Sequence, residues 1–292
     1  MISDSFIFLL LLSTFRLALP LILSAVGGYF SEKAGVAQLA LEAFLLIGAF
    51  TAASITYFSK SLGLGYLLAG ISAAILAQLF CLLVLKFKAN AVVIGTGLNL
   101  LAMGLIPLIS KTIFDSTGST PSIDLILANT NYPLFYPLTV LVFFIILSYF
   151  LSEKTLWGLQ MKFAGEKKQA LTAVGILPWV RQWQAITFGA FITGLAGAIL
   201  STYLASGYSP LMSAGRGYIA LAAIIFAGWN LPKTILISVF FGFCEALQIQ
   251  AQSNAQISAL IPSEFIQMTP YILTLLALVV FKSKQQAPGE LK

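Results

Sequence analysis

Apolar residues along this chain run in long unbroken blocks, separated by short polar clusters such as Ser31-Glu32-Lys33, Ser59-Lys60-Ser61 and Lys86-Phe87-Lys88. A hydrocarbon core about 30 Å thick needs about 20 helical residues to cross it. On that ruler nine segments qualify, roughly residues 6–29, 36–58, 63–85, 91–110, 132–151, 182–204, 217–232, 234–250 and 265–281. Their length and lack of alternation predict helices rather than barrel strands. The seventh is short and its break from the eighth, at Asn230-Leu231-Pro232, is tight, which leaves an eight-span count open. Phe6 to Leu12 could pass for a signal-peptide core. No positive charge precedes it, only Asp4, and the apolar character continues past Arg16 and Pro20 to Tyr29, so it reads as a true span.

Small residues refine the picture. The sixth segment carries Ala190, Gly194, Ala198 and Thr202 at four-residue spacing, with Gly189, Thr193, Gly197 and Ser201 beside them. The third repeats the device with Ala69, Ala73, Ala77 and Cys81. Such ridges let helix backbones approach where lipid offers no hydrophobic drive, so both segments are expected to face protein.

Composition agrees with the pattern. Of 292 residues 59% are hydrophobic and 9% charged, and the mean hydropathy is +0.95. A soluble fold could not hide that much apolar surface. The net charge of +6 does not signal a nucleic-acid partner, because the sixteen Lys and Arg are scattered between apolar runs. Orientation follows from those cations. With the N-terminus outside, nine spans put the C-terminus inside. The inner side then holds twelve of them, Lys33, Lys86, Lys88, Lys154, Lys162, Lys167, Lys168, Arg181, Lys233, Lys282, Lys284 and Lys292. The outer side holds three, Lys60, Lys111 and Arg216, with Arg16 left at membrane depth. The expectation is one all-α polytopic transmembrane bundle over residues 1–292.

Candidate chemistry is sparse. The chain has no histidine, which removes imidazole acid–base catalysis and most transition-metal sites. Cys81 and Cys244 both lie inside spans and do not make a disulfide framework. No Walker A pattern occurs, so the chain holds no nucleotide in a phosphate loop. Polar groups inside spans are costly and mark pathways. They are Gln38 and Glu42, four apart and expected on one face of the second span; Asn99, midway along the fourth; and Glu245 with Gln248 on one face of the eighth. The longest inner connection, residues 152–181, contains a predicted short helix from Glu166 to Val174, ended by Gly175 and followed by Pro178. It is well shaped to receive a push from a soluble partner. Transport is the class these features favour over catalysis.

Ser31 to Val36, Leu41-Glu42-Ala43 with Ile47-Gly48-Ala49, Ala164-Gly165-Glu166 through Ala173 to Ile176, and Ser213 to Phe226 form a recognisable series. They resemble the permeases of nucleoside-type ABC importers, grouped with the simple-sugar and branched-chain amino-acid permeases. Phe241-Gly242-Phe243, Ala246-Leu247-Gln248, Pro262, Gln267-Met268 and Pro270-Tyr271 continue the likeness, which covers about residues 20 to 281 in order. Lys167-Lys168-Gln169 stands where the family more often has an Asn-Pro-Arg-like run, and Gln38 and Ala43 where it commonly has Asn and Gly. The resemblance implies a translocation subunit of the bacterial cytoplasmic membrane. ATP and Mg would bind a separate cytoplasmic ATPase, and this chain would hold no cofactor. A lipid-anchored binding protein would deliver nucleosides, and a second, related permease chain would complete the pore. Glu42, Asn99, Glu245 and Gln248 would border the pathway, and Gly165, Glu166, Ala170 and Gly175 would couple to the ATPase. Gly215, Arg216 and Gly217 would start a half-helix facing the pathway, or dock the binding protein. The alternatives are a permease of the same fold for sugars or branched-chain amino acids, and an ion-coupled carrier using Glu42 or Glu245.

Overall fold

The computed structural model describes residues 2–116, 118–124, 135–253 and 287–291, with Met268 and Ile272. The chain forms α1 (Ile2–Lys33), α2 (Leu41–Ser59), α3 (Leu62–Cys81), α4 (Ala91–Phe114) and α5 (Phe135–Lys154). Then come α6 (Leu156–Glu166), α7 (Lys168–Ala173), α8 (Pro178–Ile199), α9 (Arg216–Phe226) and α10 (Leu231–Ser253). Seven of these are long and apolar enough to cross a membrane, and α9 is a shorter apolar helix. Together they account for eight of the nine predicted segments. The ninth, 265–281, lies outside the described residues except for Met268 and Ile272, and so do Pro262, Gln267, Pro270, Tyr271, Lys282 and Lys284.

α8 is the centre of the bundle and packs on α1, α2 and α3, while α10 lies along α1. The small-residue ridges explain why. A Cβ on Gly194 would meet the Ala69 carbonyl oxygen of α3 at 2.5 Å, and one on Gly197 would collide with the Leu45 carbonyl of α2. Ala69, Ala73, Ala77 and Cys81 are fully buried against this seam. Polar side chains add interhelical bonds: Trp183 donates to Gln78 at 2.6 Å, Gln78 donates to Thr187 at 3.0 Å, and Tyr66 and Thr202 share a bond of 3.0 Å. The outward faces of α4 and α5 keep Leu100, Leu108, Phe143 and Ile146 exposed, as an apolar solvent allows. Arg16 stacks over the Tyr203 ring, 5.3 Å from its centroid. An aromatic face is a favourable partner for a guanidinium left at membrane depth.

Three local readings change. Gln38 and Glu42 do not share a helical face, because α1 ends at Lys33 and α2 starts only at Leu41. Residues 34–40 are a non-helical link that holds Gln38. The predicted helix from Glu166 to Val174 is also two pieces: Glu166 closes α6, Lys167 breaks the chain with φ −151°, and α7 spans only six residues. The Thr155 hydroxyl accepts from the Gly158 N–H and caps α6, a signal legible in the sequence once a helix is sought there. Lastly, the break after the seventh segment falls at Gly228-Trp229-Asn230, earlier than predicted, and α10 begins at Leu231.

Candidate functional site

α9 has 11 residues, so it is about 16 Å long and spans about half of a hydrocarbon core. It starts at a glycine in the left-handed region, Gly215 with φ +80°, where a side chain would be strained. The first turn of a helix leaves backbone N–H groups without intrahelical partners, and its end is positive. Glu42 supplies what they need. Its Oε1 accepts from the Gly215 N–H at 3.0 Å and from the Ser213 hydroxyl, and its Oε2 accepts from the Gly217 N–H at 2.7 Å. Glu42 is 1% exposed. It also lies in the first turn of α2, so one carboxylate serves the positive ends of two helices at once.

Asn99 joins the same place from α4. Its Oδ1 accepts from the Ala43 N–H at 2.9 Å, while its Nδ2 donates to the Leu39 carbonyl at 2.8 Å and to the Tyr218 hydroxyl at 2.9 Å. These bonds satisfy backbone groups of the 34–40 link and of α2 that a helix would otherwise have paired internally. Irregular backbone inside a membrane bundle requires that. Asn99 is thus the bracket between the start of α2 and the start of α9.

Arg216 points to the third element. Its guanidinium Nη2 pairs with Glu245 Oε1 of α10, and its Nη1 donates to the Met212 carbonyl at 3.1 Å. The Arg216 side chain is 11% exposed and that of Glu245 20%. Arg216 Nε and Glu245 Oε2 are buried with no hydrogen-bond partner among the described residues, so this pair keeps polar capacity in reserve. Gln248 lies one turn further along α10 and is half-buried. The structure therefore brings Glu42, Asn99, Gly215, Arg216, Gly217 and Glu245 into one polar centre built on two helix N-termini. Sequence reasoning missed Ser213 and Tyr218 as members of it; Ser213, just before the Gly215 cap, donates its hydroxyl to Glu42 and does not itself cap α9.

Gly165, Glu166, Ala170 and Gly175 lie elsewhere, along α6 and α7. Glu166 pairs with Lys33 at 3.6 Å, and Lys168 with Glu290 of the C-terminal residues at 2.8 Å. Gly175, with φ +76°, ends the segment before Pro178 opens α8. Among the described residues no group of three or more His, Cys, Asp or Glu side chains could hold a metal ion.

Residues 10–279 match the model of a family described as branched-chain amino acid transport system / permease component. The guanosine ABC transporter permease protein NupQ of Bacillus subtilis is 30% identical, over 94% of this chain and 92% of its own. The nucleoside ABC transporter permease protein NupC of Lactococcus lactis is 30% identical, over 92% of this chain and 90% of its own. A putative glucose ABC transporter permease protein of Haloferax volcanii is 26% identical, over 92% and 90%. No solved structure matches the chain. With the match running through the bundle and the polar centre alike, the chain belongs to the branched-chain amino acid transport system permease family and is a membrane permease subunit of an ABC importer.

Proposed function

We propose that this permease moves nucleosides or closely related solutes, and that the centre formed by Asn99, Tyr218, Arg216, Glu245 and Gln248 borders their route. The observation that carries the reading is the meeting of the α2 and α9 starts at a polar cluster inside an otherwise apolar bundle. The 30% identity to guanosine and nucleoside permeases over nearly the whole chain supports the substrate class. Nucleosides are neutral and rich in donors and acceptors. A route lined by an amide, a phenol and a neutralised ion pair offers them weak, exchangeable hydrogen bonds, and weak sites release what they pass. Glu42 holds the half-helix in place, since its oxygens are already engaged.

In this reading a soluble binding protein, anchored by lipid, selects the solute, and a second, related permease chain completes the pore. The N-terminus faces outward in the bacterial cytoplasmic membrane. Arg216 belongs to the interior centre and not to a docking rim, which leaves Lys60 and Lys111 as the outer cations among the described residues. The ATPase meets the protein at α6, α7 and the turn after them, where Val174 is 68% exposed and Leu177 and Trp179 stand beside it in the open. Exposed apolar groups on a cytoplasmic segment suit a protein partner.

The test is uptake by the complete complex in proteoliposomes, with guanosine, glucose and leucine offered in turn. ATP-dependent guanosine accumulation that needs the binding protein is expected. Accumulation of glucose or leucine alone would transfer the reading to the sugar or amino-acid branch. Accumulation by this chain alone under an imposed ion gradient, lost in Glu245→Gln, would replace it by an ion-coupled carrier.

A further inference from the structure

Glu32 does not belong to the polar centre, yet it is a buried carboxylate, 4% exposed, in the last turn of α1. Its two oxygens face two different breaks in the fold. Oε1 accepts from the Gln38 N–H at 2.8 Å, within the link that leads to Glu42 and α2. Oε2 accepts from the indole N–H of Trp229 at 3.0 Å, in the turn that ends α9. Trp229 reaches it from a left-handed backbone, φ +54°, directly after Gly228 at φ +62°. A tryptophan in that region is an outlier that needs outside support. Glu32 provides it. α9 is therefore held by a carboxylate at each end, Glu42 at its start and Glu32 just beyond its finish.

The neighbours of Glu32 lead to the coupling segment. Lys33 pairs with Glu166 at the end of α6. A Cβ on Gly35 would meet the Gly165 Cα at 2.8 Å, and one on Gly165 would collide with the Lys33 carbonyl oxygen. The Gln182 amide donates to the Ala34 carbonyl at 2.9 Å, pinning the same link to α8. Backbone thus touches backbone between α6 and the 33–35 turn, with no flexible side chain between them to absorb a displacement. Close-packed contacts of this kind transmit small shifts without damping.

We propose that Glu32 is a positioning residue of transport, the joint through which a displacement of α6 by the ATPase reaches the half-helix α9 and the start of α2. A push on Gly165–Glu166 moves the 33–35 turn, and the Glu32 carboxylate carries that movement to the end of α9 through Trp229 and to the start of α2 through Gln38. The Arg216–Glu245 pair at the far end of α9 then shifts against α10. This rests on the importer reading but not on the identity of the solute.

The test uses the full complex in proteoliposomes, with Glu32→Gln, Trp229→Phe and the double variant. Movement of α9 is followed separately by thiol labelling of Ile225→Cys, an exposed α9 position, in a background with C81A and C244A. An amide at residue 32 offers an acceptor to only one of the two N–H groups, and Trp229→Phe removes the indole donor together with part of its packing on the cluster around Ile224. Either single change is expected to lower solute moved per ATP about tenfold, the scale of one buried hydrogen bond left unmade. ATP hydrolysis should persist, and the ATP-dependent change in labelling rate at residue 225 should flatten. Once the indole donor is gone, the one remaining amide oxygen suffices for the Gln38 N–H, so the double variant should be no worse than Glu32→Gln. If Glu32→Gln fails to insert, Trp229→Phe decides. The proposal is overturned if Trp229→Phe keeps both the transport ratio and the labelling response. It is equally overturned if hydrolysis and uptake fall in proportion as the ATPase dissociates, or if labelling in the unsubstituted complex ignores ATP. Absence of guanosine uptake with an intact labelling response would sink the solute assignment and leave this one standing.

Discussion

Gly217 and Glu42 approach so closely that no side chain on residue 217 fits between them: a Cβ there would lie 2.5 Å from the Glu42 nitrogen and 2.8 Å from its Cα. The contact aligns the Gly217 N–H with the Glu42 carboxylate and fuses the start of α9 to the start of α2. It joins residues 175 positions apart in the chain.

Gly217→Ala should therefore push α9 off its seat. Overpacking of this kind costs about 1–3 kcal/mol. The thermal midpoint in detergent is expected to fall and uptake to drop by about tenfold or more, since the displaced group is also the one Glu42 binds. Gly97→Ala and Gly104→Ala on α4, where nothing lies within 4 Å of the added atom, serve as controls and should leave both readings unchanged. Equal effects at all three positions would mean that the close approach is not what matters.

Glu42→Gln tests the capping role separately from packing. An amide retains one oxygen but turns an N–H₂ toward the Gly215 or Gly217 N–H, so one donor of the half-helix loses its partner. The expected cost is about 1–3 kcal/mol of stability. Glu42→Asp keeps the charge but shortens the reach, and should recover part of the loss. Unchanged thermal stability in Glu42→Gln would show that α9 is held by its apolar face alone.

The Arg216–Glu245 pair separates stability from transport. Removing one partner of a buried ion pair leaves an uncompensated charge and costs about 3–5 kcal/mol, whereas replacing both by apolar residues is often neutral. Arg216→Met should thus lower the thermal midpoint sharply, and Arg216→Met with Glu245→Leu should restore it. If the pair borders the route, uptake stays low in the stable double variant. Full recovery of uptake there would reduce the pair to a structural contact.

Spans were legible because their signal is local: twenty apolar residues and a ridge of small ones need no knowledge of the partner helix. The buried packing of Ala190, Gly194 and Ala198 follows from spacing alone. The polar centre was only half legible. Glu42, Asn99 and Glu245 drew attention as costly groups in apolar surroundings and Arg216 through the family resemblance, but nothing in their spacing says that Glu42 meets Gly217 or that Arg216 meets Glu245. Gln38 was misplaced because an apolar run continues through the 34–40 link, which is held out of helix by tertiary bonds from Glu32, Asn99 and Gln182. Arg16 found an aromatic face supplied by residue 203, a contact no local pattern encodes.

Orientation is open to direct measurement. Twelve cations against three favour an outer N-terminus. Reporter fusions at Ser116 should read external, and fusions at Lys168 and Lys284 cytoplasmic. A cytoplasmic reading at Ser116 would invert the bundle and place α6 and α7 on the wrong side for an ATPase.

Substitutions in and beside α7 separate folding of the coupling segment from docking on it. Ala170 sits in the first turn of α7 and is exposed. Its N–H donates to the Lys167 carbonyl at 3.1 Å, so Ala170→Pro would remove a bond at the joint of α6 and α7 and disturb folding and docking together. Leu171 is the anchor, 3% exposed, and it accepts both the Val174 and the Ile176 N–H groups at its carbonyl. Leu171→Asp would bury a charge and unseat α7, at a cost of several kcal/mol unless the group neutralises. Val174 stands in the open beside it, so Val174→Asp should leave α7 folded and alter only what docks there. The two variants therefore report on different things. Co-purification of the ATPase is expected to fall with either, but the thermal midpoint of the isolated permease should fall only with Leu171→Asp. Val174→Asp with normal ATPase capture and normal uptake would move the docking surface away from the turn before Pro178, and leave α6 as the element that receives the push.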